Sequence, residues 1–204
     1  MHDSKVHRPD RRQLFERAST QAGYFTSGQA RACGYGKSLL SYHARRGNFV
    51  RAGRGLYRLS EYPSFPREEV MAAWLAAGGA GALVSHESAL DLLDISDVIP
   101  DKIHITIGRD ERWRRPPPGV MFHTTTTPVP RSQFQIRDGL KVATAARAIV
   151  DSAVSGVSPE QIFSAIASSL ERGLTTRSEL LGLGRARGGL AEHTIGEGIQ
   201  AVTE

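Results

Sequence analysis

The chain has 204 residues, 40% of them hydrophobic and 23% charged, with a net charge of +5. That is an ordinary globular composition at a length for one large domain or two small ones. No run of 18 apolar residues is present, which excludes a transmembrane helix. The opening "MHDSKVHRPDRRQ" lacks the apolar core of a secretory signal, and the single Cys33 excludes an internal disulfide. The expectation is a cytoplasmic protein with no membrane partner.

The charge is segregated. Residues 1–58 hold 12 Lys and Arg against 3 Asp and Glu, a net +9; residues 59–204 hold 14 against 18, a net −4. A basic first quarter points to nucleic acid or an acidic surface. In chain order, Arg11–Ala22 reads as a helix with Leu14, Phe15, Ala18 and Ala22 in one apolar stripe, ended by Gly23. Thr26 and Gln29 then form a capping box opening a short helix to Cys33. A further helix from about Gly36 to Arg46 stops at Gly47. It buries Leu39, Leu40 and Ala44, and it presents Ser38, Ser41, Tyr42 and Arg45 on the other side, with Lys37 and Arg46 at its ends. Two short strands follow, Asn48–Arg51 and Gly55–Leu59, joined by Ala52–Gly53–Arg54.

Helix, helix-turn-helix and hairpin, in that order, are a winged helix-turn-helix. Ser41–Leu59 contains five arginines and no acid, and double-stranded DNA would supply the missing negative charge. The helix face would read base edges in the major groove through Ser38, Ser41, Tyr42 and Arg45. Lys37, Arg46 and the wing residues Arg51, Arg54 and Arg58 would hold phosphates. His43, near the boundary of the two faces, reads as a packing residue. The other reading of this module is a protein-binding winged helix with a basic surface.

"SEYPSFPREE" reads as a linker, giving a DNA-binding domain at 1–60 and a second domain at 61–204. A helix from Arg67 to Ala77 carries Val70, Trp74 and Ala77 inward. "ALVSHESALDLL" is a short apolar entry and a helix with Ser85 as N-cap and Glu87 in its first turn. Lys102–Gly108 alternates Ile103, Ile105 and Ile107, a half-buried strand. After "RDERWRRPPPG", Val120–Thr126 is the partner strand. "DGLKVAT" adds another strand, and Thr144 caps a helix through Val154. "SPEQ" is a capping box with Pro159 at the first helical position, setting Ile162, Phe163, Ile166 and Leu170 toward the core. "TRSE" opens a last short helix. The fold class is α+β, the second domain carrying a small sheet.

Chemistry is sparse in this second part. "SHES" sets Ser85 beside His86, but neighbours at a helix start point apart, so capping with one packed histidine is the better reading. Seven histidines and one cysteine show neither the HExxH pattern nor close pairing, so no metal site is expected. The only acid two residues before a lysine is Asp3, which argues against a metal-dependent nuclease. There is no GxxxxGK[ST] loop, and "GLGRARGG" follows no strand and is a weak phosphate cradle. No cofactor and no enzyme activity are expected. The basic cluster Arg109, Arg112, Arg114 and Arg115, with Trp113 inside it, leaves three readings open: a second contact to the DNA backbone, a dock for an acidic protein, or a solvated hairpin tip.

Taken together, "GYFT..QA", "LLSYH..RG" and "R..RGLYRL", with "LVSHESALDLLDISDVIPDKIHITI" and "GLKVATAARAIVDSA" further on, resemble the AbiEi antitoxins of the AbiE toxin–antitoxin systems. The likeness covers roughly residues 12–180, and the tail after Leu181 lies outside it. The resemblance implies a repressor that binds inverted repeats in its own promoter and an antitoxin that neutralises a neighbouring nucleotidyltransferase-like toxin. The rivals are an enzyme that modifies the toxin, for example by phosphoryl or nucleotidyl transfer, and a plain winged-helix regulator with no toxin partner.

Overall fold

Asp10 caps the first helix: its carboxylate accepts the Gln13 amide at 2.9 Å and opens α1 (Arg11–Ser19), satisfying one of the donors a helix start leaves without a partner. The structure, a computed structural model, describes residues 8–202; the reading of the N-terminal segment, Asp3 included, lies outside them. Leu14 and Ala18 are buried as the stripe requires, whereas Phe15 is 44% exposed. The helix ends three residues earlier than its apolar pattern suggests. Ala22 and Gly23 both take left-handed backbone, φ 50 and 81, and turn the chain into a strand that the sequence reading missed, β1 (Tyr24–Thr26). Only glycine suits position 23, because a Cβ there would lie 2.6 Å from the Cβ of Tyr62.

The capping box of Thr26 and Gln29 forms in full and opens α2 (Ser27–Ala32). Then come α3 (Lys37–Arg45), β2 (Phe49–Gly53) and β3 (Leu56–Leu59). The hairpin turn is Arg54–Gly55, starting two residues beyond the expected Ala52, because the pairing register shifts between Arg51 and Gly53. β3 lies between β1 and β2, antiparallel to both. Phe25 sits at the centre of this unit, edge-on to Phe49 at 5.0 Å and stacked on Tyr57 at 5.9 Å. Cys33 is buried in the same core. The unit includes α4 (Glu68–Ala76), with Val70, Trp74 and Ala77 buried as expected. It runs to Gly79, past the segment read as a linker, and takes in Asp138–Leu140.

The second unit comprises Ala80–Arg137 and Lys141–Glu204. Its sheet has the order β6-β5-β4-β8-β7, built from β4 (Leu83–Val84), β5 (Ile103–Gly108), β6 (Val120–Thr125), β7 (Phe134–Arg137) and β8 (Leu140–Ala143). The helix α5 (His86–Leu93) leaves directly from β4. The strand β5 is not half-buried: His104 and Thr106 are buried, as Ile105 and Ile107 are. Nor is 109–119 a hairpin tip. β6 pairs with β5 in parallel, so the connection must carry the chain back along the strand.

Helices supply the rest of the second unit. Thr144 caps α6 (Ala145–Val154) and Thr176 caps α8 (Arg177–Arg187), both through their hydroxyls. Between them, α7 (Pro159–Glu171) begins on proline as expected, but Ser158 makes no capping bond, so the box read from "SPEQ" does not form. Gly182 and Gly184 lie inside α8 and not on a loop, so "GLGRARGG" is no phosphate cradle. A final helix, α9 (Gly189–Ala201), escaped the sequence reading. Gly198 lets it approach α7: a Cβ there would fall 2.6 Å from the Cδ1 of Ile166. Among the described residues, no helix is long and apolar enough to cross a membrane.

Within the first unit one ion pair ties the wing to α4. The Arg58 guanidinium bonds Glu68 at 3.0 Å and the Pro63 carbonyl at 2.8 Å, and it lies 5.6 Å from the centre of the Tyr24 ring. Both partners are largely shielded from solvent, at 13% and 24% side-chain exposure. Arg58→Ala is expected to cost about 1–3 kcal/mol in denaturant unfolding of the full chain, since it leaves a shielded carboxylate unpaired. Unchanged stability would show that the pair contributes nothing.

Candidate nucleic-acid interface and a histidine cluster

The α3 helix separates its faces as its spacing requires. Leu40 is buried, Leu39 packs against the core, and Ser38, Ser41, Tyr42 and Arg45 are exposed, as are Lys37 and Arg46 at the ends. Tyr42 is 45% exposed and has Arg46 over its ring at 5.6 Å. His43 packs inward, its ring centre 4.9 Å from that of Phe49, with Nδ1 2.9 Å from the Asn48 amide nitrogen. On the wing, Arg51 and Arg54 are exposed. Among the described residues, none of Lys37, Arg45, Arg51 and Arg54 is held in an ion pair. Arg58 departs from the expectation: it is turned inward onto Glu68 and is not presented to a phosphate.

The basic loop of the second unit is divided likewise. Arg112 and Arg115 are exposed, and Trp113 is 75% exposed. Arg114 is paired with Glu111 at 2.8 Å and lies 5.7 Å from the centre of the Trp113 ring. Arg109 instead lines a cleft of about 480 Å³ together with His86, His123, Arg147, Asp151 and Arg187. The Asp151 carboxylate is 2% exposed and binds two guanidinium groups, Arg147 at 2.6 Å and Arg187.

At this cleft three histidines converge. In β5 and β6, Thr106 stands opposite His123, and His104, two residues before Thr106, shares its face. His86 begins α5 with left-handed backbone, φ 52, which brings its ring onto the other two. The His86 and His123 rings stack with centres 3.6 Å apart. The Nε2 of His123 is 3.2 Å from the Nδ1 of His104. One ring nitrogen from each residue lies within 4.8 Å of those of the other two. Burial is the largest cause of lowered basicity in all three. For His86 and His123 the neighbouring imidazoles add to burial, and together they bring His86 down to about 2 and His123 to about 4; for His104, Lys102 adds to the lowering while Glu87 opposes it. In all three the shift favours the neutral imidazole.

The expectation of no close pairing among the histidines is therefore corrected; in "SHES", Ser85 stands at the N-cap position and His86 is packed as expected, but the two side chains do not point apart. Ser85 makes no capping bond. Its hydroxyl lies 2.8 Å from that of Thr106 and 2.9 Å from the Nδ1 of His86. Adjacent side chains meet because left-handed backbone at residue 86 reverses the usual divergence. The missed signal was in "HITIG": the alternation that sends the isoleucines one way sends His104 and Thr106 the other.

Residues 12–60 match the family model described as "Transcriptional regulator, AbiEi antitoxin". The model covers the first part of the resemblance and stops short of the motifs beyond residue 60. No curated protein matches the chain in sequence. Among solved structures, the crystal structure of the RV2827C protein from Mycobacterium tuberculosis is similar over 97% of this chain and 79% of that one, with a TM-score of 0.60 at 16% identity. At that identity the likeness shows a common fold. With a buried helix-turn-helix core, an exposed α3 face and an antiparallel wing, residues 12–60 have the winged helix-turn-helix architecture, and it is over this stretch that the chain matches the AbiEi antitoxin family model.

Proposed function

We propose that the protein is a DNA-binding transcriptional repressor and the antitoxin of an AbiE-type pair, acting in the cytoplasm on its own operon and on a nucleotidyltransferase-like toxin. The observation that carries the reading is the α3 face: two hydroxyls, a phenol and a guanidinium exposed side by side, flanked by wing cations outside any ion pair among the described residues. Such a helix fits the major groove. Ser41, Tyr42 and Arg45 would read base edges, and Arg51 and Arg54 would hold the backbone of an operator built as inverted repeats. The match to a regulator and antitoxin family supports the pairing of the two roles. The surplus of acid after residue 58 leaves the remainder suited to a partner other than DNA.

Contacts of these two kinds respond differently to substitution. Tyr42→Ala should lose about 1–3 kcal/mol on the upstream region and little on random DNA. Arg54→Ala should weaken both and flatten the salt slope by up to about one unit. Mobility shifts over a salt series read both quantities, and identical behaviour of the two variants would refute the division.

Neutralisation is separable from repression on this reading. With the neighbouring toxin expressed from a foreign promoter, the full chain carrying Tyr42→Ala and Arg45→Ala should fail on the operator yet still rescue growth. Loss of rescue by that folded variant would mean that the α3 face serves toxin control as well. Removing charge at Arg112, Arg114 and Arg115 then distinguishes a protein dock from a second DNA contact: the dock predicts lost rescue with operator affinity intact.

A further inference from the structure

We propose that His86, His104 and His123 form a binding site for one divalent transition-metal ion of the zinc class, with a fourth coordination position open to the adjacent cleft. The site stands apart from the DNA reading and rests on different residues.

Three histidines arrive from three elements, and the fold fixes each of them. Parallel pairing of β5 and β6 places His104 and His123 diagonally on one sheet face. Left-handed backbone at the first residue of α5 brings in His86. Zinc held by imidazole nitrogens at about 2.0–2.1 Å in a tetrahedral arrangement sets those nitrogens about 3.3 Å apart. The His104 and His123 nitrogens are already 3.2 Å apart. The widest separation in the trio, within 4.8 Å, must close by no more than about 1.5 Å, which rotation of a ring about its side-chain bonds supplies.

The hydrogen bonds around the trio suit a metal better than a merely packed core. A bond between Nδ1 of His104 and Nε2 of His123 uses one proton, so one nitrogen of the facing pair is an acceptor and a ligand in waiting. The Ser85 hydroxyl, linked to Thr106, lies beside Nδ1 of His86. When that nitrogen donates to Ser85, the Nε2 lone pair is left for an ion, and the serine acts as the outer partner that metal-bound histidines commonly have. A purely structural role would need two buried polar rings and a half-buried third where apolar side chains would pack at no desolvation cost.

The ligand chemistry selects the ion. An all-imidazole set suits zinc, cobalt, nickel or copper and not magnesium or calcium. Three neutral ligands leave the ion its full charge. The cleft that His86 and His123 line also holds Arg109, Arg147 and Arg187, only partly offset by Asp151. The fourth ligand is therefore an exchangeable anion or water reached from the cleft.

Cobalt(II) titration into the full chain, freed of metal by chelator, tests the site. One equivalent should bind with the intense visible bands of tetrahedral cobalt, zinc should displace it, and added phosphate should shift the bands by entering the fourth position. His104→Gln and His123→Gln should each weaken binding at least 100-fold, with the far-ultraviolet spectrum unchanged, whereas the exposed His193→Ala should not. Should the glutamine variants fail to fold, crystals of the wild-type chain soaked in zinc decide the matter through anomalous density between the three rings. Absence of stoichiometric cobalt binding, binding undiminished in folded His104→Gln, or absence of that density would each overturn the proposal. So would phosphate binding to the cleft in a chain that takes no metal.

Discussion

The second unit depends on how β5 is buried. A strand covered on both faces must satisfy two different environments with alternating residues. Ile105 and Ile107 meet an apolar layer on one side. On the other, His104 and Thr106 are buried too and need polar partners, because each unpaired polar group so buried costs about 1–3 kcal/mol. Those partners come from everything packed on that face. Ser85 bonds Thr106, Ser88 accepts the His104 amide at 2.8 Å, and His123 approaches the His104 ring. The left-handed start of α5 follows from the same demand, for it is what lets Ser85 and His86 both reach the strand.

Much of this was legible in the sequence, and the residues show why the rest was not. The winged module was readable because its signals are local: a capping box at Thr26 and Gln29, apolar spacing in α3, and glycines at turns. β1 was lost because three residues carry no period, and it exists only through pairing with β3, some thirty residues on in the chain. Arg58 looked like its neighbours Arg51 and Arg54, yet its counter-charge lies on a helix beyond the hairpin. The histidine cluster was hidden for a similar reason. Parallel pairing of β5 with β6 cannot be inferred from either strand alone, and an antiparallel hairpin in the same place would have set a different residue opposite Thr106.

The arginines of the two units make a shared point about charge. Net charge alone treats every arginine as available, but availability is decided by whether the fold brings a partner within reach. In the second unit Arg147 and Arg187 are bound to Asp151, and Arg137 meets Asp94 at 3.4 Å. Arg172 bonds the carbonyls of Leu93 and Asp94 at the end of α5, where the helix dipole favours a cation. These side chains contribute to the fold. On α3 and the wing, Arg45, Arg51 and Arg54 stand exposed and outside any ion pair among the described residues, and Arg58 marks where the structural use of arginine begins. A basic surface is open to phosphate only where its cations are left without acids, and among the described residues Arg45, Arg51 and Arg54 meet that condition.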